Sequence, residues 1–343
     1  MAISDGRETC INLNDALHSA PAEVQDRFIA WLKRLYPSID YVFCGYGVAS
    51  HFPNCYEIPG KDRERTAAMR QAYFNRQWVK IIHGLGPRFG FPFAADVVFF
   101  EDDLFWANEP IHNSERPTQV FTEMHPESAT QVLDIAPGFS ILEGKVEVMK
   151  LREKIRSTQL ARTERESIDR ANRYGNVNET AVADVANLLR ANIETCRPYL
   201  SAFEVDYRFL VRFRNGAHAI VVEKHGAKVS LSVTAENRIE KSCFDVIYTT
   251  RLAYLKLSLT TPYGQEILFV GSGGIFEYTR RVALKRRLHG ELMVLLKKQD
   301  ACPPPRKQKL TGLVFKIKRV AKKLLGRDLW DLYDLERWTV FHS

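Results

Sequence analysis

Residues 39–53, Ile39-Asp40-Tyr41-Val42-Phe43-Cys44-Gly45-Tyr46-Gly47-Val48-Ala49-Ser50-His51-Phe52-Pro53, carry the pattern that decides the fold. The apolar run to Cys44 follows the Pro37-Ser38 break, is too short for a helix, and opens into a loop punctuated by Gly45 and Gly47, so it reads as a buried strand. Upstream, Glu8 to Asn14 (ETCINLN) reads as another short buried strand ending at Asp15. Pro21 opens a helix through Tyr36 with Phe28, Ile29, Leu32 and Leu35 as its apolar stripe. Downstream, a long helix runs from about Lys61 to Gly84 with Ala68, Tyr73, Trp78, Ile81 and Ile82, and Gly86-Pro87 stops it before a third strand region, Phe89 to Phe100. Strand, helix, strand, helix, strand predicts an α/β unit on a mostly parallel or mixed sheet.

The remainder reads differently. Residues 101–145 are loops with a short strand, and residues 147–174 are charged and helical. A helix from Glu179 to Leu200 carries Val182, Val185, Leu188 and Leu189 on one face. The period then switches to two over Phe203–Phe213, Ala219–Glu223 and Lys228–Val233, which predicts a meander. Phe244 to Thr261 reads as a helix with a strand-like end, Glu266 to Gly271 (EILFVG) as a strand before Gly-Ser-Gly-Gly, and Tyr278 to Lys298 as a closing helix. The predicted organisation is an α/β domain over 1–146, a helical linker over 147–200, an α+β domain over 201–300, and a tail over 301–343.

Composition narrows the function. With 45% hydrophobic and 26% charged residues the 343-residue chain excludes wholesale disorder. No apolar run of 18 residues predicts a membrane span, and MAISDGRETC lacks the basic and apolar regions of a signal peptide, so a cytoplasmic location is expected. The six cysteines form no CxxC pair and read as reduced thiols. Nine of the 49 Lys and Arg fall between Lys307 and its neighbour Arg306 at one end and Arg327 at the other, with no acid among them, which leaves the rest close to neutral. A nucleic-acid binder is usually basic across a whole face, so nucleic acid is not expected as a ligand. Leu310, Leu313, Val314, Ile317, Val320, Ala321, Leu324 and Leu325 lie between those cations at helical spacing. Residues 306–327 therefore read either as an amphipathic helix on an anionic membrane surface or as a docked helix with its lysines in solvent.

Parallel sheets bind ligands where the strand carboxyl ends open into loops. Three such loops carry titratable groups: the first holds Asp15 and His18, the second His51, the third Arg88 and Asp96. Asp15 can cap a turn or ligate a metal. His51 can pack beside Phe52 or move a proton near neutrality, and Arg88 can bind a substrate carboxylate or phosphate or pair with Asp96 or Glu101. Gly271-Ser272-Gly273-Gly274 lacks the lysine of a phosphate loop, and no GxSxG elbow is present.

The run FCGYGVASHFPNCY (43–56), a long helix, and then LGPRFGFPFA (85–94) resembles the metallo-β-lactamase-fold proteins of the UlaG-like and CMP-N-acetylneuraminate-hydroxylase-like group, over residues 8–145. The resemblance implies a partial αββα sandwich and a one- or two-metal site, with zinc as the leading divalent ion and iron or manganese as alternatives. It places Asp15 at the metal-ligand position, and His51, Arg88, Asp96 and His18 become substrate-binding candidates. The group's His-x-His-x-Asp-His motif is absent from these 343 residues, as is any Cys-x-His pair for an iron–sulfur module. The chain thus resembles the second half of that fold, with an exposed sheet face that self-association or a partner would cover. The alternating domain after it is similar in pattern to small sterol-carrier-type domains. The function expected is a metal-dependent hydrolase-like or oxygenase-like protein acting on a small molecule, incomplete on its own. The alternative is a non-catalytic binding module that keeps the fold without a metal.

Overall fold

The computed structural model describes residues 1–14, 17, 20, 22–47, 52–94, 99–108, 115–135, 140–142, 145–147, 162, 165, 166, 168, 169, 177–201, 206–269, 271–279 and 285–299. The chain forms two compact units. One takes Met1–Ala49 and Glu64–Ile168; the other takes Ser50–Arg63 and the described residues from Asp169 onward. The helical reading of residues 147–174 and the whole basic segment 306–327 lie essentially outside the described residues.

The elements are, in chain order, β1 (Ala2–Ser4), β2 (Thr9–Leu13), α1 (Ala22–Leu35), β3 (Tyr41–Gly45), β4 (Tyr56–Glu57), α2 (Arg63–Leu85), β5 (Phe89–Phe93), α3 (Pro117–Met124), β6 (Gln131–Val132), β7 (Ser140–Leu142) and β8 (Lys145–Glu147). They continue with α4 (Glu179–Leu200), β9 (Tyr207–Phe213), β10 (His218–His225), β11 (Lys228–Ala235), β12 (Val246–Thr250), α5 (Leu252–Thr260), α6 (Glu266–Phe269), β13 (Gly274–Tyr278) and α7 (Lys285–Leu295). No helix among the described residues is long and apolar enough to cross a membrane.

The first unit is built on a five-stranded sheet in the order β1-β2-β3-β5-β6, with β1 antiparallel to β2 and the other neighbours parallel. Because each parallel strand follows its neighbour through a helix, right-handed crossovers carry α1, α2 and α3 to one face. That face holds Ile11, Leu13, Val42 and Cys44 from the strands against Ile29 and Leu32 of α1, Trp78, Ile81 and Ile82 of α2, and Phe121 of α3. The alternate strand residues form the other face, where Tyr41 stacks on Phe89 and Phe43 on Phe91, and the cluster packs against Leu133, Ile135 and Ile141. Phe91 is fully buried. Tyr41 and Phe89 beside it are buried as well. The third strand stops at Phe93, well short of Phe100. Asn108 pins the continuation instead, bonding both the amide (2.8 Å) and the carbonyl (2.9 Å) of Phe99.

The second unit is a six-stranded mixed sheet in the order β11-β10-β9-β12-β13-β4. The predicted meander is present as β9-β10-β11 in antiparallel register. Helices α4, α5 and α7 cover one face, where Val182, Val185, Leu189 and Ile193 meet Tyr207, Phe209, Val211, Ile220, Val222, Val246 and Tyr248. Leu210, Ala219, Val221 and Ile247 form the opposite face under Phe244 and Ile239. Asn178 caps α4 by accepting from the Ala181 amide at 2.8 Å. Asn192, buried in α4, donates to the carbonyls of Leu295 (2.8 Å) and Lys297 (2.9 Å), holding the last turn of α7.

Two segments differ from the sequence expectation. Phe244–Thr261 is strand first and helix second, β12 followed by α5. Glu266–Phe269 is a short helix, and the strand lies beyond it at Gly274–Tyr278. A four-residue apolar run has no period to distinguish the two. What decides it is the preceding turn, in which Glu266 bonds back to the Tyr263 carbonyl (3.0 Å) and Phe269 to that of Gln265 (3.1 Å).

Candidate functional site

In the first unit the carboxyl ends of β2, β3, β5 and β6 open on the same edge of the sheet, the place where such folds bind ligands. Asn14 follows β2, and its amide donates to the Asn12 side chain at 2.9 Å, turning the chain out of the strand. Gly45 ends β3 directly beside it. A Cβ built on Gly45 would stand 2.1 Å from the Asn14 carbonyl oxygen, so only glycine lets the two loops lie this close. Trp78 of α2 donates to the Cys44 carbonyl at 3.1 Å and fixes β3 from below. Burial pushes the Cys44 thiol up to about 12, so it is an inert packing group.

At the far side of the same edge, Arg116 stands at the N-terminus of α3 with its guanidinium over the Tyr46 ring at 5.1 Å. Its Nε donates to Asp134 Oδ1 (3.2 Å), while Thr118 Oγ1 donates to Asp134 Oδ2 (2.6 Å). Asn75 of α2 donates to the Glu115 carbonyl at 2.6 Å. Arg116, Tyr46 and Asp134 thus form a fixed polar corner just beyond β3 and β6. None of the three carries a sequence motif: Arg116 stands before a proline, Asp134 follows a two-residue strand, and Tyr46 is one aromatic in a glycine loop.

Of the sequence candidates, only Arg88 lies among the described residues; Asp15, His18, His51 and Asp96 lie outside them. Arg88 opens β5 rather than closing it. It is exposed, stacks on Phe89 at 5.1 Å, and sits at the amino end of the sheet with Tyr41 and Glu8. A five-residue strand at about 3.3 Å per residue separates it from the carboxyl-end loops by roughly 16 Å. Arg88 is therefore not grouped with the glycine loop.

Among the described residues no group of three or more His, Cys, Asp or Glu side chains could hold a metal ion. The described donors at this edge do not fit one either: Asp134 is held by Arg116 and Thr118, and Asn12 is turned onto backbone. A metal here would depend on Asp15 and on further donors. His125 stacks on His83 with ring centroids 3.7 Å apart, and burial together with the His83 charge holds its pKa below the usual histidine range.

A second polar cluster lies in the core of the second unit. Lys224 of β10 points toward the helical face because it shares the parity of Ile220 and Val222. It meets Glu291 of α7 at 3.5 Å, both side chains fully buried, and Tyr207 donates to the same Glu291 oxygen at 3.1 Å. Burial pushes Glu291 up to about 7, partly offset by Lys224 and Tyr207. Two residues before Glu291, His289 bridges two tyrosines: Tyr56 of β4 at Nε2 (3.0 Å) and Tyr278 of β13 at Nδ1 (2.8 Å). A neutral imidazole donates from one nitrogen and accepts at the other, so one of these hydroxyls donates and the other accepts. The available sequence signal was Glu291 itself, an acid placed between Leu288, Leu292 and Leu295 in the apolar stripe of α7.

Compared with protein-family models, with curated proteins and with solved structures, the chain finds no match in any of the three.

Proposed function

We propose that the first unit is the ligand-binding half of a hydrolase-like protein of the metallo-β-lactamase superfamily, acting on a small anionic molecule at the carboxyl edge of its sheet. The observation that carries this reading is the backbone approach of Asn14 to Gly45. It brings the chain leading into Asp15 against the glycine loop that leads to His51, which is the juxtaposition the resemblance requires. Arg116, seated on Tyr46 and tied to Asp134, supplies a fixed positive charge at the same edge for a substrate carboxylate or phosphate. Arg88, at the opposite end of the sheet, has no part in it. A divalent ion would activate a bound water for hydrolysis, with Asp15 as one ligand and the other donors drawn from beyond the described residues.

The test is metal analysis of the purified full chain, wild type beside Asp15→Ala. Stoichiometric zinc, iron or manganese that is lost in Asp15→Ala supports the reading. A folded chain without metal, whose binding of small carboxylates and phosphates is unchanged in Asp15→Ala but lost in Arg116→Ala, supports instead a non-catalytic binding module on the same sheet edge.

A further inference from the structure

Helix α1 buries Gln25, Ile29 and Leu32 against the sheet. Beside that face it carries a second apolar stripe that faces solvent: Val24 is 49% exposed, Trp31 45% and Leu35 52%, with Phe28 half-buried and its ring 5.2 Å from that of Trp31. At 3.6 residues per turn these four positions fall within an arc of about 60°. Four consecutive contacts at spacings of four, three and four are a helix-pairing pattern, more ordered than singly scattered surface apolar residues.

The stripe lies on the outer flank of the helical layer. On its other flank α1 meets α2, through Asp26–Lys80 (2.8 Å), Gln25–Gln77 (2.7 Å) and Ile29 against Gly84. The exposed flank therefore points away from α2, toward the β1 edge of the sheet.

We infer that this stripe is a self-association surface, on which α1 of a second copy of this chain packs antiparallel about a two-fold axis. Two observations select that occupant. The stripe is symmetric about its own midpoint between Ile29 and Ala30: Val24 and Leu35 lie equally far from it, as do Phe28 and Trp31. A two-fold axis through the midpoint sets Phe28 against Trp31 of the second copy and Val24 against its Leu35, the self-complementary contact that a closed dimer needs. The charges have the matching polarity. Glu23 lies in the first turn and Arg34 in the last, both on the outer side of the stripe. Neither makes an ion pair among the described residues, whereas the other acid of α1, Asp26, is taken by Lys80. An antiparallel pair brings Glu23 toward Arg34 of the second copy twice and aligns opposed helix dipoles; a parallel pair would set like charges together. The patch amounts to a few hundred Å² per copy, less than the roughly 800 Å² per partner of a standard stable interface. Association in the micromolar range follows.

Sedimentation velocity of the full chain from about 1 to 100 µM tests this, with circular dichroism as the check on folding. The wild type is expected to pass from monomer to dimer across that range. Trp31→Glu is expected to weaken association at least tenfold without changing the spectrum, and Val24→Lys, near the helix end, does the same should the tryptophan variant misfold. Glu23→Arg and Arg34→Glu are each expected to weaken the dimer several-fold, and the double variant to restore it. A monomer throughout, whether the stripe is then bare or covered by residues 301–343, overturns the inference. So does a dimer indifferent to Trp31→Glu and Val24→Lys, or a double charge exchange that fails to restore what the single ones lose.

Discussion

The ammonium of Lys224 lies 3.5 Å from Glu291 Oε1 in the core of the second unit, and neither side chain reaches solvent. Two ionisable groups at such a place are held by each other and by Tyr207, since removing either leaves the other buried without its partner. The second carboxylate oxygen, Oε2, has no hydrogen-bond partner among the described residues, and that favours the protonated acid.

The consequence is a stability that depends on pH. Glu291 titrates near 7 in the folded chain, above the usual range of a glutamate in the unfolded one. Between those values the folded state holds a proton that the unfolded state has lost. The group's contribution is therefore complete below the unfolded pKa and disappears as pH rises through about 7. Chemical denaturation at pH 5 and pH 8 should show the wild type losing on the order of 2–3 kcal/mol relative to Glu291→Gln over that interval. A constant difference between the two proteins would remove the assignment.

Removing the other partner should depend on pH in the same sense. In Lys224→Met the carboxyl can go neutral at pH 5 but must stay charged and alone at pH 8 unless its pKa climbs further. The variant is expected to cost about 3 kcal/mol or more at pH 8 and clearly less at pH 5. Equal costs at both pH values would show that Lys224 acts through packing of its stem only.

His289 should anchor β4. Its ring joins the hydroxyls of Tyr56 and Tyr278, both of which are nearly buried. In His289→Ala both hydroxyls lose that partner, at a cost of about 1–3 kcal/mol. Hydrogen exchange should report where the loss is felt: the Phe276 amide, which bonds the Cys55 carbonyl at 2.8 Å, is expected to exchange faster, while the β9–β10 pairing stays protected. Uniform acceleration across the sheet would mean that His289 supports the whole core.

Two glycine substitutions should have opposite signs. Gly45→Ala forces a methyl into the Asn14 carbonyl, a backbone atom that cannot swing aside, and a loss of roughly 2–4 kcal/mol is expected. Gly290 lies inside α7 with open space around its Cβ position, so Gly290→Ala should stabilise by up to about 1 kcal/mol. Thermal melts of both variants check the pair, and a neutral Gly45→Ala would separate the Asp15 chain from the glycine loop.

How much of this could be read beforehand varies by element. The period of α4 was legible to its ends, because Val182, Val185 and Leu189 recur at helical spacing and Asn178 and Leu200 bound the run. The parallel strands β2 and β3 were legible from short apolar runs, and the meander from its alternation. The run EILF was not, since four residues fit either period until the turn at Tyr263 is known. The strand ends that open toward the candidate site were legible at Asn14 and Gly45. Which residues they bring together was not: Arg88 shares a segment with Asp96 yet lies at the opposite end of β5, and Arg116 meets Tyr46 from a distant part of the chain.

By itself, then, the order of residues determined most of the extended and helical segments and their apolar sides, because these follow from spacing along one segment; the strand-then-helix order over 246–260 and the helical turn at Glu266–Phe269 did not. Only the tertiary structure decided which polar groups are buried and with whom. Lys224 and Glu291 are ordinary charged residues until β10 and α7 are packed face to face, and Tyr56 and Tyr278 become partners of one imidazole only when β4 joins β13. The environment that sets their chemistry is made of atoms far away in the chain, and no local pattern encodes it.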